Sequence, residues 1–204
     1  KSNAGFAVLT KSETREALLE GLIKIFAFIG SVPTTIWFDQ MSSAALRTRD
    51  EKGIVQVAGF VQRFATHYGF AIKFCNPESG HEKGNVERKV GTIRRNLFVP
   101  EPEITNLEAY NNDLLEKCQT LNKENHYIHK IPKEQIFEEE KVMMVPMNTA
   151  PFDTAKYESR KVNKYGLVDY ETCKYSASPS YVGQSVTLKV MANTIDIFSK
   201  DLSD

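Results

Sequence analysis

The chain has 204 residues, 41% of them hydrophobic, which is enough for one medium-sized domain and a small second one. Its 26 basic and 26 acidic residues balance. This balance excludes a globally basic nucleic-acid-binding protein, so any such surface must arise from local segregation of charge. The three cysteines show no disulfide or zinc spacing, which indicates a reducing interior. We expect no membrane span and no signal peptide, because no apolar run is long enough.

The first part of the chain predicts strands alternating with helices. Apolar, β-branched and aromatic runs predict strands at 5–9, 34–38 and 70–74, the second of them buried. Apolar residues at helical spacing predict helices that end at Gly30 and Gly69, and a third helix over 84–97. A capping box of Thr10 and Glu13 precedes the first helix. The intervening segment 42–53 is polar and basic, and we expect it to be mobile.

The second part of the chain changes character. A capping box at Thr105 and Glu108 predicts a helix up to Leu121, and a shorter helix follows at 133–141. Residues 143–151 have the composition of a linker. Short strands separated by turn residues are then predicted at 157–162, 167–170, 175–177, 186–190 and 194–198. This pattern is typical of a small all-β module of the barrel kind.

Two carboxylates lie in suggestive places. Asp39 ends the strand at 34–38, and Glu87 falls in the first turn of the basic helix. Oxygen ligands suit Mg²⁺, and two such ions can clamp a phosphodiester for in-line attack. The alternative interpretation is structural: an Asp after a strand is often a turn residue or helix cap, and a Glu in a first turn compensates the helix dipole.

Basic residues cluster on the helix of Glu87, where five basic residues and one acidic residue lie between Lys83 and Arg95. Arg94 comes two turns after Glu87 on the same side, so it is the favoured phosphate ligand. Lys83, in the predicted entry loop, is the second choice. Arg88 and Arg95 point away and are either DNA contacts or a solvated face. Contacts of this kind position DNA without reading its sequence.

Three histidines are further candidates. His81 is either a metal ligand, a proton carrier or a loop residue that packs near the helix start. His126 and His129 are three apart and could share a metal ion if they lie on a helix. No carboxylate or cysteine pairs with them by spacing, which argues against that assignment.

Longer motifs carry a resemblance to a family. The stretches FDQMSSAAL, FATHYGF and FCNPESGHEKGNVERKVGTIRRNLFVPEP resemble the catalytic region of IstA-type transposases, the integrase-like enzymes of the IS twenty-one class of bacterial insertion sequences. PFDTAKYESRKVNKYGLVDY and YSASPSYVGQ resemble the family's C-terminal β module. The resemblance implies an α/β fold: a ribonuclease-H-like, integrase-type core lacking its first strands at 1–100, a helical extension at 101–145, and a small barrel-like β module at 146–204.

The same resemblance implies an Asp-Asp-Glu metal triad in which Asp39 matches the second Asp and Glu87 the Glu. It implies 3′-end cleavage and strand transfer of an insertion sequence with two Mg²⁺ or Mn²⁺ ions. The implied partners are transposon ends, target DNA, other transposase subunits and an IstB-type ATPase helper, in the bacterial cytoplasm at the nucleoid and away from membranes. The β module would add DNA or subunit contacts.

One departure from the family pattern bears on activity. The family's first Asp precedes the segment matching residues 5–9, and Asp50, in a polar loop, cannot replace it. We therefore expect this chain alone to be inactive. Two alternatives stay open: a truncated, catalytically inactive transposase that acts only as a DNA-binding or assembly module, and a structural α/β domain whose carboxylates are accidental.

Overall fold

The computed structural model describes residues 1–38, 47–49, 55–74 and 80–200, without the side chains of 47–49, 55–56 and 80–87. Its five described helices are α1 Arg15–Ile29, α2 Gly59–Tyr68, α3 Gly80–Leu97, α4 Leu107–Asn122 and α5 Lys133–Lys141. The strands are β1 Ser31–Val32, β2 Thr35–Phe38, β3 Arg47–Arg49, β4 Val55–Val57, β5 Ala71–Phe74, β6 Val145–Pro146, β7 Lys156–Lys161, β8 Leu167–Tyr170, β9 Cys173–Ser176, β10 Ser185–Val190 and β11 Ile195–Phe198. The mixed α/β class is confirmed. No described helix is long and apolar enough to cross a membrane.

A parallel pair of strands forms the centre of the first half. β2 and β5 run side by side, with Thr35 opposite Ala71 and Phe38 opposite Phe74. One face of this pair packs on aromatic side chains of α1 and α2. The ring of Tyr68 lies 5.7 Å from that of Phe26 and 4.9 Å from that of Phe64, centroid to centroid. Because these rings are almost completely buried, they fix α1, α2 and the two strands as one unit.

The helix ends were predicted more accurately than the helix starts. α1 and α2 stop at Gly30 and Gly69, whose φ angles of 71° and 77° suit glycine. The predicted capping boxes are wrong. α1 begins after Thr14, whose hydroxyl accepts the Ala17 N–H. α4 begins after Asn106, whose side-chain oxygen accepts the N–H groups of Glu108 and Ala109.

The predicted strand at 5–9 is wrong, because these residues join no β ladder. Two asparagines of α4 take the place of a neighbouring strand. The Asn122 carboxamide accepts the Gly5 N–H at 3.0 Å and donates to the Gly5 carbonyl at 3.1 Å. Asn111 does the same for Leu9, at 2.7 and 2.9 Å. The two asparagines are about 16 Å apart along the helix, so the segment between Gly5 and Leu9 is extended.

The predicted linker at 143–151 is packed against the first half of the chain. β6 pairs with β1, so that Val145 lies opposite Val32. The His67 ring nitrogen lies 2.9 Å from the Ala150 carbonyl. Just beyond, Phe152 packs edge-on against Phe64 at 5.3 Å. The connection to the β module is therefore fixed to α2 over most of its length.

The β module consists of a three-stranded antiparallel sheet in the order β11-β10-β7 and the separate hairpin β8–β9. Val168, Val186 and Leu188 are fully buried between them. No closed barrel forms within 156–198, so the barrel-like prediction is corrected to two small sheets around one core. The module contacts α1 through Glu20, which accepts the Ala192 N–H at 3.0 Å and the Thr154 hydroxyl at 3.4 Å.

The asparagine pairing gives a stability prediction. Asn111→Ala leaves the backbone N–H and carbonyl of Leu9 without partners, so we expect the free energy of unfolding to fall by about 2 kcal/mol. Asn112→Ala is the matched control, since Asn112 is exposed on the same helix, and it should change stability by less than about 0.5 kcal/mol. Urea denaturation of both variants measures the difference, and equal losses would contradict the pairing.

Candidate metal and nucleic-acid site

The first candidate carboxylate, Asp39, follows β2 in the sequence. The described part of this strand ends at Phe38, directly before Asp39, and Asp39 itself lies outside the described residues. Since β2 and β5 are parallel, their carboxyl ends meet at one edge, with Phe38 opposite Phe74. In open α/β sheets, sites form at this edge.

Glu87 lies deeper in its helix than predicted. α3 begins at Gly80 rather than near Gly84, so Glu87 is at the end of the second turn and not in the first. The dipole explanation for this carboxylate therefore fails, because the effect of a helix terminus fades within its first turn. Lys83 and His81, predicted in an entry loop, are helical as well. The side chains of all three are outside the described residues.

The three arginines predicted to bind DNA are described, and all are exposed: Arg88, Arg94 and Arg95. None of them makes an ion pair with another described residue. Because they are exposed, their guanidinium groups are accessible to an anionic partner. The structure does not distinguish Arg94 from the other two by exposure.

Lys89 on the same helix has a different role. Its ammonium group donates to the Asn3 carbonyl at 2.6 Å. Burial lowers the pKa of Lys89, and the charge of Lys133 lowers it further. Among the described side chains of α3, one lysine therefore holds the N-terminal segment and three arginines face solvent. Val90, predicted in the apolar stripe, is 44% exposed, so that stripe is incompletely covered.

Sequence reasoning missed an exposed aromatic residue beside the candidate site. Trp37, two residues before Asp39, is 50% exposed. The Lys73 ammonium lies 5.1 Å from the Trp37 ring centroid, and the two residues are opposite each other in the β2–β5 pair. The expectation of a buried strand is therefore wrong for one of its two faces. Successive side chains of a strand point to opposite faces, so Trp37 lies on the face opposite to Ile36 and Phe38. This alternation was the signal available in the sequence.

The histidine pair serves the local backbone. His126 is 3% exposed, and its Nδ1 accepts the N–H groups of Ile128 and His129 at 3.2 and 3.3 Å. Burial lowers the pKa of His126, and the neighbouring His129 lowers it further. Since Nδ1 is occupied by two backbone donors, a metal site at this atom would require the loop to open.

The candidate metal ligands fit divalent cations in chemistry, since carboxylate oxygens are what Mg²⁺ and Mn²⁺ prefer. Within the described residues no three His, Cys, Asp or Glu side chains are placed together as ligands. The side chains of Asp39 and Glu87 are not among those residues. The described backbone shows two parts of the candidate site. These are the sheet edge where Phe38 precedes Asp39 and the helix that carries Glu87.

Several known proteins that are similar to this chain over most of its length are transposases. A putative transposase for insertion sequence element IS5376 of Geobacillus stearothermophilus is 30% identical over 194 residues, covering 94% of this chain and 47% of that protein. A transposase of Aminobacter aminovorans is 31% identical over 185 residues, covering 90% and 36%. The transposase for insertion sequence element IS21 of Pseudomonas aeruginosa is 26% identical over 188 residues, covering 91% and 48%.

A family model described as the C-terminal domain of Mu transposase matches residues 147–202, which contain β7 to β11. The chain spans about half the length, or less, of the curated relatives it matches. It is homologous to the transposases of bacterial insertion sequences, IS21 among them, over about nine-tenths of its own length, and the resemblance read from the motifs is confirmed.

The exposed arginines of α3 give a binding prediction. Arg94→Gln should weaken binding of duplex DNA equally for all sequences and reduce the slope of log K against log salt by about 0.9, as expected when one phosphate contact is lost. Lys117→Gln is the control, because Lys117 is exposed but paired with Asp113 at 2.7 Å. Fluorescence anisotropy across a salt series measures both. A loss confined to one DNA sequence would indicate base reading instead.

Proposed function

We propose that this chain is the core part of an insertion-sequence transposase that cleaves the 3′ ends of its element and joins them to target DNA. The homology to transposases over about nine-tenths of the chain carries this proposal. The parallel β2–β5 pair supports it, because the two strands end at one edge, where Asp39 follows. α2 connects them and α3 comes next, which is the order expected for part of a ribonuclease-H-like, integrase-type core.

In this proposal Asp39 and Glu87 hold divalent ions together with a third carboxylate, which the family's Asp-Asp-Glu triad implies. Asp39 and Glu87 would hold two Mg²⁺ or Mn²⁺ ions next to the reacting phosphate. Such ions would supply activation of the attacking oxygen and stabilisation of the leaving oxygen in an in-line displacement. Arg94, Arg88, Arg95 and Lys83 neutralise the neighbouring phosphates and hold the strand in place.

The partners follow from the same proposal. Transposon ends and target DNA are the substrates. Other transposase subunits and an IstB-type ATPase are the protein partners, and the nucleoid is the place of action. Trp37 and Lys73 join the proposed site as contacts to the DNA strand next to the cleaved bond. Trp37 is the exposed described side chain nearest in sequence to Asp39, and Lys73 lies opposite it in the β2–β5 pair.

The role of Glu87 is tested in a longer transposase that contains this region. Glu87→Gln should abolish strand transfer, because a neutral amide holds a divalent cation far more weakly than a carboxylate, while DNA affinity stays within about twofold. Glu103→Gln is the matched control, since Glu103 is exposed beyond the end of α3. Gel assays of strand transfer and anisotropy of DNA binding measure the two properties separately.

Wild-type strand transfer by the Glu87→Gln protein would contradict the assignment. Equal losses in the Glu87 and Glu103 variants would indicate a general charge effect. Loss of DNA affinity together with activity would mean that Glu87 acts in folding or in binding.

The isolated 204-residue chain gives a second test. With Mn²⁺ and a labelled transposon-end duplex, we expect no specific nicking, because two carboxylates should hold the ions too weakly for the proposed chemistry. The supporting control is duplex binding by the same sample, which shows that the chain is folded and engaged with DNA. Nicking that disappears in the Glu87→Gln chain would contradict this expectation and show that the two carboxylates suffice.

A further inference from the structure

The helix that carries Glu87 has no deeply buried anchor in its described part. Among its described side chains, at positions 88–97, none is buried, although the apolar ones follow helical spacing. Just beyond the helix, the Phe98 ring lies 6.3 Å from the Tyr110 ring of α4. Helices in proteins owe most of their stability to a packed apolar face. A polar contact in the middle of α3 therefore has a large share in fixing this helix.

Lys89 makes such a contact. It is partly buried, and its ammonium group donates to the Asn3 carbonyl at 2.6 Å. Within the part of the chain that the structure describes, the other side-chain hydrogen bond of α3 stays inside the helix, from the Thr92 hydroxyl to the Arg88 carbonyl. Lys89 is thus the described side chain of α3 that joins this helix to another segment by a hydrogen bond.

The fit between Lys89 and the N-terminal segment depends on Gly5. A Cβ atom added at Gly5 would overlap Cε of Lys89. Glycine at this position therefore leaves the space through which the lysine reaches the Asn3 carbonyl, as glycine does elsewhere when a close approach to the backbone is required.

The segment that receives Lys89 is itself held firmly by α4. Asn122 bonds both backbone groups of Gly5, and Asn111 bonds both backbone groups of Leu9. Since Asn3 is only two residues before Gly5, its carbonyl is presented from a fixed segment. Lys89 therefore connects α3 to α4 through the N-terminal residues.

The anchor lies on the far side of the helix from the candidate carboxylate. Two residues correspond to about 200° around an α-helix, so positions 87 and 89 are on nearly opposite sides of α3. A contact at Lys89 can fix the helix from behind and leave the side of position 87 open. Such support matters because a misplacement of about 1 Å in a reacting group can cost as much as 10²-fold in rate.

We propose that Lys89 is a positioning residue, whose hydrogen bond to Asn3 sets where α3, and with it Glu87, lies relative to the rest of the fold. The inference rests on the proposed function, since it gives Lys89 a part in the same reaction. A DNA contact fits Lys89 less well than it fits the exposed arginines, because its ammonium group already bonds a backbone carbonyl.

The first experiment measures amide hydrogen exchange in the 204-residue chain without metal or DNA. Lys89→Met keeps the length of the side chain and removes the donor. We expect exchange at 88–97 to become about tenfold faster, as for the loss of one charged hydrogen bond, while exchange in α4 and the β module changes by less than about twofold. Lys123→Met is the matched control, since Lys123 is exposed at the end of α4.

The second experiment uses a longer transposase that contains this region. Lys89→Met should slow strand transfer by about 10–100-fold and raise the Mn²⁺ concentration that gives half the maximal rate, as when a residue that orients a metal ligand is lost. DNA affinity should stay within about twofold. Gly5→Ala should act in the same direction, because it displaces the lysine without changing α3. Circular dichroism checks the fold of each variant.

Unchanged exchange at 88–97 in the Lys89→Met chain would overturn the proposal, and so would wild-type strand transfer by the longer variant. Slower strand transfer with an unchanged Mn²⁺ requirement would overturn it in favour of a role in folding alone. A matching loss of DNA affinity would overturn it in favour of a DNA contact. Wild-type activity of the Glu87→Gln protein would instead contradict the proposed function and would leave the exchange result standing, so the two proposals fail distinguishably.

Discussion

The first half of the chain depends on the packing of aromatic rings between α1 and α2. Phe26, Phe64 and Tyr68 are each exposed by 2% or less, and Phe70 joins them at 5.9 Å from Phe64. A two-stranded sheet is at best marginally stable alone, so β2 and β5 need this layer to stay paired. Removing one such ring from a core typically costs about 3–5 kcal/mol. The sheet edge at which Phe38 precedes Asp39 therefore depends on the aromatic core that packs against one face of the β2–β5 pair.

Prediction from the sequence succeeded where a single local pattern decides the structure. Gly30 and Gly69 end their helices because the left-handed conformation costs glycine little. The bounds of β2 and β5 were predicted to within one residue, because a short β-branched and aromatic run favours a strand. Residues 5–9 have the same composition, but their hydrogen-bond partners are Asn111 and Asn122. No local sequence pattern predicts a hydrogen-bond partner more than 100 residues away.

The candidate site was predicted only in part for similar reasons. The end of the apolar run marks the position of Asp39 in the sequence, whereas the start of α3 was hidden by Gly80 and Gly84. Glycine is unfavourable inside helices by about 1 kcal/mol relative to alanine, which favoured a loop in the prediction. The exposure of Trp37 was missed because an apolar run of four or five residues does not reveal whether one face or both are covered. The fold leaves that face open, and only alternation could have indicated it.

The chain is neutral overall, but its local surface charge depends on which residues form ion pairs. In the β module, Glu158, Asp169 and Asp153 hold Lys156, Arg160, Lys174 and Lys189 in ion pairs. Lys161 and Lys164 form no ion pair with another described residue. On α3 the three arginines are exposed while Lys89 is held by a backbone carbonyl. Since exposed charges act over only about 8 Å at physiological salt, a polyanion responds to these local surfaces and not to the net charge. The contacts of Phe152 and Glu20 then tie the module to α2 and α1.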